Sequence, residues 1–358
     1  MQEIVLYSFS CGFPIMETFR KCLNKSQSVR DRRKTITYRN QSQIKFKKEM
    51  TKRQKMIEYI KKQLLLKRFI ATATAFSGGT GKTTTATNLA YLYASLFADM
   101  DETEDAQVLI IDMDSQTASA GHFMEQSESD QSSSGIASLM TMCSVERFFM
   151  ANHPLEQCVT TRTWTAPNGK TIKVDSMSCD PTTTMIDTRL TQALGEDIGE
   201  YIDAKKQQLL GRYKRVVIDG NPAETKLSLG MSDQVIVPFL LTVKNLCNMQ
   251  STVQRIGPAS QMFQRHASDI FILPLGYNES SEGPNRALQS AKDAFEDYIP
   301  AYFHKAENIV RGSAMIENAW AAGEVVAQYK GRSNEKPLQT QFVDSMMNAI
   351  GYMEKAQA

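Results

Sequence analysis

Residues 68–88 read RFIATATAFSGGTGKTTTATN, and how that stretch divides sets the fold. The run Phe69 to Phe76 is apolar and rich in β-formers, the composition of a buried strand. Ser77-Gly78-Gly79-Thr80-Gly81-Lys82-Thr83-Thr84 comes next. A helical pattern then starts at once, with Ala86, Leu89, Ala90, Tyr93 and Leu96 as its apolar positions. Strand, glycine loop, lysine, hydroxyl and helix start are the parts needed to hold a nucleotide's phosphates. The glycines let backbone N–H groups turn inward, and the helix start adds the positive end of its dipole. Gly78, Gly79, Thr80, Gly81, Lys82, Thr83 and Thr84 are therefore the candidate nucleotide-binding residues. Lys82 can reach the β- and γ-phosphates, and Thr83 is placed to ligate Mg²⁺.

Two more strands end in acids. Val108 to Ile111 is continuously apolar and leads into Asp112-Met113-Asp114-Ser115-Gln116. Arg215-Val216-Val217-Ile218-Asp219 is followed by Gly220-Asn221-Pro222. Such uninterrupted apolar runs belong to parallel sheets covered on both faces, and α/β folds place ligands at the carboxyl ends of the strands. A spacing of two puts Asp112 and Asp114 on one side of an extended backbone. With further strands at Ser232 to Pro238 and Ile270 to Leu275, the reading is an α/β fold. A mainly parallel sheet carries helices on both faces, as in P-loop NTPases.

The glycine loop departs from the pattern G-x-x-x-x-G-K-[ST], whose first glycine would fall on Phe76. It resembles instead K-G-G-x-G-K-[ST], the deviant loop of the ParA/MinD family of ATPases, with Ser77 where that family carries its signature lysine. The family's D-x-D-P-Q is matched by Asp112, Asp114 and Gln116, with Ser115 in place of proline. Asp219 and Pro222 match its D-x-P-P, and Asn221 departs. Ser232 to Pro238 resembles A-D-x-V-I-V-P, and Gly276-Tyr277-Asn278 stands where relatives place a loop beside the base. Ile299-Pro300 and Ala314 to Val326 resemble the closing pattern, so the resemblance spans about residues 67 to 350.

The resemblance implies ATP and Mg²⁺ as cofactors and a slow, Mg²⁺-dependent ATPase. Lys82 and Asp114 would be catalytic, Asp114 by placing the attacking water. Thr83, Asp112 and Asp219 would hold the metal, the two carboxylates by orienting its waters. An ATP-dependent homodimer is implied, together with a DNA-associated state and a DNA-binding adaptor, for partition or positioning of a plasmid or similar element. An accessory ATPase of conjugative DNA transfer has the same pattern. So does a nucleotide-switched binding module in which hydrolysis is vestigial. Ser77 removes a positive charge. Another basic residue takes over, or the dimer is weaker, or hydrolysis is slow.

The net charge of +2 conceals an asymmetry. Residues 1–68 hold 18 Lys and Arg against 5 Asp and Glu, whereas the remainder is acidic. The expected organisation is a basic extension over 1–66, partly helical or disordered, and an ATPase domain over 67–358. From Met50 to Leu66 a stripe of Met56, Ile57, Ile60 and Leu64 is interleaved with Lys52, Arg53, Lys55, Lys61 and Lys62. Such a helix can bind nucleic acid, lie on an anionic membrane or pack on the body. A start at Met50 or Met56, with the preceding segment dispensable, is also open. Arg53, Lys55, Lys61 and Lys62 are the candidate DNA contacts, with Lys305 and Arg311 as candidates on the body.

The six cysteines form no C-x-x-C pair, which favours free thiols in a reducing cytosol. No apolar run is long enough for a membrane span. A cytoplasmic protein, free or nucleoid-associated, without a membrane partner is expected. Trp164 to Val174 reads as a hairpin around Asn168-Gly169, an elaboration on the family plan. Ile136 to Phe149 and Asp187 to Leu210 read as helical, and Glu125 to Gly135 as a polar linker. Phe342, Met346, Met347, Ile350 and Met353 mark a closing helix packed on the core, since it lacks a basic membrane face.

Overall fold

The computed structural model describes residues 53–101, 105–113, 120, 144–166, 168–179, 186–221, 226–262, 270–278, 282–312 and 314–356. The chain divides into two compact units, Met1–Glu58 and Tyr59–Ala358. Within the second unit, Ile60 and Leu64 are fully buried, while Leu65 and Leu66 are exposed.

Eight strands form one sheet: β1 Phe69–Ala73, β2 Val108–Asp112, β3 Thr160–Thr165, β4 Thr171–Met177, β5 Arg215–Asp219, β6 Gln234–Leu240, β7 Ile270–Tyr277 and β8 Val310–Arg311. Their order across the sheet is β3-β4-β2-β5-β1-β6-β7-β8. Every pair is parallel except β3 with β4. The residues of β1, β2 and β5 are all buried, as two-sided coverage requires. The α/β reading with a mainly parallel sheet holds.

The hairpin forms where Asn168-Gly169 placed it, with Gly169 at φ 81. It is more than an appendage. Its second strand, β4, pairs in parallel with β2 through Leu109↔Asp175, Ile110↔Ser176 and Ile111↔Met177, so it belongs to the main sheet. Only β3 is the added edge. The expected helix from Asp187 to Leu210 is also divided. Ile186–Leu194 and Ile198–Arg212 meet at Gly195, whose φ of 54 cannot continue a right-handed helix.

The register brings three strand ends level. Ala73 of β1 lies opposite Asp219 of β5, and Asp219 lies opposite Asp112 of β2. Gly220 then donates its N–H to the Ala73 carbonyl at 2.9 Å. A Cβ there would stand 3.0 Å from Thr74 Cβ and 3.1 Å from the Ala73 oxygen, so a side chain at this turn would crowd the end of β1.

The other end of the sheet is held by charge. Asp233 accepts from the Ile70 N–H at 2.9 Å and donates its own N–H to the Ile70 carbonyl at 2.8 Å. Its second carboxylate oxygen pairs with Lys206. That gives the aspartate of the Ser232-to-Pro238 pattern a structural task, fixing the start of β6 to β1. The closing helix, Lys336–Ala356, buries Phe342, Met346, Met347, Ile350 and Met353 in the core, as its stripe indicated. Near its end Glu354 forms a two-pronged ion pair with Arg215, at 3.0 and 2.7 Å, with both side chains 1% exposed.

Candidate nucleotide-binding site

At the carboxyl end of β1 the chain leaves the sheet in steps, each fixed by a hydrogen bond. Thr74 donates its N–H to the Ile236 carbonyl of β6 at 2.9 Å. Phe76 donates its N–H to Thr252 Oγ1 at 3.1 Å, on the helix Val243–Met262. The turn itself runs through Gly79 at φ 68 and Gly81 at φ 93, a conformation that side chains resist. Gly78 and Gly79 are exposed, with nothing within 4 Å of where a Cβ would sit. At Gly81 a Cβ would come within 2.9 Å of Leu275 Cδ1.

Helix Lys82–Asp99 begins directly after this turn, with the Thr85 N–H donating to the Gly81 carbonyl at 2.9 Å. Lys82 is buried, and its ammonium donates to the Ser77 carbonyl at 3.0 Å. The lysine thus folds back over the loop, which puts its charge inside the turn of glycines. Thr80 is buried as well, whereas Thr83 and Thr84 are half-buried on the first helical turn. The loop, the lysine and the helix start converge as the sequence indicated.

Asp112 and Asp219 are both wholly buried at adjacent strand ends. Neighbouring strands lie about 4.8 Å apart, so the two carboxylates share one locality beside the loop. Among the described residues no three His, Cys, Asp or Glu side chains are grouped as an all-protein metal cage. Mg²⁺ keeps waters and uses one or two carboxylates plus substrate phosphates. The hard oxygen donors of Thr83, Asp112 and Asp219 suit it. Asp114, like Ser115, Gln116 and Pro222, lies outside the described residues.

A model for an AAA domain matches residues 67–265. McdA of Cyanothece, solved as an ATP complex of a variant, superposes with a TM-score of 0.56 at 17% identity, covering 79% of this chain and 95% of that one. MinD of Aquifex aeolicus gives 0.50 at 14% identity, covering 79% and 97%. The chain belongs to the ParA/MinD family of P-loop ATPases. No curated protein sequence matches it.

Arg53, Lys55 and Lys62 are exposed. Lys61 pairs with Asp99 at 3.3 Å, at the end of the phosphate-loop helix. Lys305 and Arg311 are exposed, Arg311 closing β8. No helix among the described residues is long and apolar enough to cross a membrane.

Three supports of the site gave no sequence signal. Asn88 accepts the Val326 N–H at 3.0 Å while donating to the Thr84 carbonyl at 2.9 Å, which ties the closing segment to the phosphate-loop helix. Asp187 accepts from the N–H groups of Lys226 and Leu227 at 2.6 and 3.0 Å, fixing the start of helix Lys226–Met231. Burial pushes the Asp187 carboxyl upward, and those two amides partly offset the shift. The third is Thr252 with its neighbour Arg255, whose guanidinium lies 5.0 Å from the Phe76 ring centroid. All three join residues far apart in sequence, beyond the reach of motif or period.

Proposed function

We propose that this chain is a Mg²⁺-dependent ATPase whose ATP-bound, DNA-associated homodimer partitions or positions a plasmid or similar element through a DNA-binding adaptor. Residues 67–358 form the ATPase domain of this reading and residues 1–66 its basic extension. The observation that carries the ATPase part is the levelled register of Ala73, Asp219 and Asp112 beside a glycine loop holding Lys82. The ATP complex of Cyanothece McdA, a protein of the same fold, supports the choice of nucleotide.

Phosphoryl transfer needs positioning and charge neutralisation more than covalent help. The amides of Gly79 to Thr83 cradle the phosphates in this reading, and Lys82 leaves the Ser77 carbonyl to meet them. Bound Mg²⁺ supplies charge neutralisation at the phosphate oxygens, with Thr83 as ligand and Asp112 and Asp219 orienting its waters. Asp114 orients the attacking water, so Asp114→Ala should bind ATP with Mg²⁺ normally and accumulate the uncleaved state.

The basic extension supplies the DNA affinity, because the rest of the chain is net acidic. The deciding experiment measures ATP turnover with and without non-specific duplex DNA, for the full chain and for one lacking residues 1–49. DNA should stimulate the full chain. For roughly 4–6 phosphate contacts, the deletion should flatten the log–log salt dependence of DNA binding by about 4–5 units. ATP binding should survive it. Absence of turnover with or without DNA would reject the ATPase reading, and an unchanged salt slope would reject the role of the extension.

A further inference from the structure

We infer that Arg255 is a second phosphate-binding cation of this site, contacting the terminal phosphate of the nucleotide held by its own loop. The inference rests on the nucleotide-binding reading above and goes beyond it by naming a residue outside every motif. The starting point is electrostatic. A triphosphate brought beside the buried Asp112 and Asp219 adds negative charge to negative charge. Lys82 is the single basic residue in the loop, and Ser77 offers none. The Ser77 hydroxyl oxygen is buried without a hydrogen-bond partner, so it adds only a neutral dipole.

Arg255 lies where a further cation is useful. Lys82 is the residue that meets β- and γ-phosphates in such loops, and its ammonium sits on the Ser77 carbonyl. The terminal-phosphate end of the site is therefore beside Ser77. Phe76, the residue before it, carries the Arg255 guanidinium 5.0 Å from its ring centroid. The backbone on which Arg255 stands is fixed to the same residue. Thr252, one turn earlier on helix Val243–Met262, accepts the Phe76 N–H and donates to the Asn248 carbonyl at 2.8 Å.

The mode of contact matters too. A guanidinium resting on an aromatic face keeps its N–H groups in plane and available, in the fork that suits phosphate oxygens. Arg255 is exposed, and no carboxylate pairs with it among the described residues. Arginines used only for structure look different in this molecule. Arg215 is 1% exposed and engaged by Glu354. Arg162 donates to the Gly323 carbonyl at 2.6 Å. Phe76, standing where the ordinary loop has glycine, becomes the platform for the second cation.

The test is calorimetric binding of ADP and of a non-hydrolysable ATP analogue to the full chain with Mg²⁺, so it does not depend on turnover. Arg255→Ala should lose about 10- to 100-fold in affinity for the analogue, the effect of one charge-assisted contact, and leave ADP affinity essentially unchanged. Arg255→Lys should recover part of the loss. Adding Ser77→Lys to Arg255→Ala should also recover it, because it returns a cation to the residue next to Phe76; a merely structural arginine would not be rescued that way. An unchanged ratio of the two affinities in Arg255→Ala, with unchanged melting, would overturn the inference and leave the ATPase reading standing. A wild-type chain that binds neither nucleotide would overturn the ATPase reading itself.

Discussion

Arg215 and Asp219 stand at the two ends of one five-residue strand, and their surroundings differ in kind. At the amino end, Arg215 is held on several sides by protein groups. It pairs with Glu354, donates to the carbonyls of Lys67 and Lys214 at 2.5 and 2.6 Å, and lies 4.4 Å from the Phe69 ring centroid. Lys206 with Asp233, and Tyr213 with Asp175 at 2.6 Å, close neighbouring positions in the same way. At the carboxyl end, Asp219 is wholly buried and Gly220 follows it, while the phosphate loop turns through left-handed Gly79 and Gly81 with open space around Gly78 and Gly79. Buried charge at one end is matched by protein groups. At the other, the carboxylates of Asp112 and Asp219 stand level on adjacent strand ends beside the glycine loop. Stability and function are thus drawn from opposite ends of the same strands.

Substitutions at the two ends should separate these properties. The largest effect is expected from Glu354→Ala, which strands a buried guanidinium and should cost about 3–5 kcal/mol in denaturant unfolding. Replacing both partners, Arg215→Met with Glu354→Leu, should restore most of the loss, because the pair must also overcome its own desolvation. A small effect of Glu354→Ala would mean that the amino end is not where stability resides.

Lys82→Ala should do the reverse. Its unfolding midpoint should stay near wild type, while ATP affinity falls by about 1.5–3 kcal/mol for each phosphate contact removed. Isothermal titration checks the affinity, and wild-type affinity would remove Lys82 from the site.

The smallest effect is a pH dependence belonging to the amino end. Burial, with the Glu354 carboxylate nearby, holds the Tyr93 hydroxyl well above its usual range; burial and Asp175 do the same for Tyr213. The unfolded chain loses these protons near pH 10 while the folded chain keeps them. Their contribution is therefore complete below about pH 10 and declines by about 1.4 kcal/mol per pH unit for each tyrosine above it. Denaturant midpoints measured on either side of that pH should fall accordingly, and Tyr93→Phe should flatten the fall.

The carboxyl end was the more legible of the two in the sequence. Glycine, lysine and hydroxyl at fixed spacing leave few conformations to choose from, and Asp112 and Asp219 each close an uninterrupted apolar strand. The closing helix was legible because one stripe faces one core. The amino end was not, since nothing local in Arg215 announces Glu354, which lies 139 residues away. The place of β4 was hidden for a related reason. A hairpin signal reports the pairing across its own turn, and is silent on the parallel partner, β2, that the second strand gains on its far side. Arg255 escaped because its meaning depends on Phe76, a residue the motif treats only as a missing glycine.

The position of β1 has a consequence for how the molecule is made. That strand pairs only with β5 and β6, which follow residue 214, so the first strand of the domain waits for the middle of the chain before it has a neighbour. Contacts between such distant segments close large loops and form slowly. Until they form, the turn from Thr74 to Gly81 has no frame, since its supports at Ile236, Thr252 and Leu275 are not yet in place. Nucleotide therefore cannot template the early steps of folding. It can only bind the finished sheet and hold it there by mass action, which makes ATP a late arbiter of how much of this protein persists rather than a guide to how it assembles.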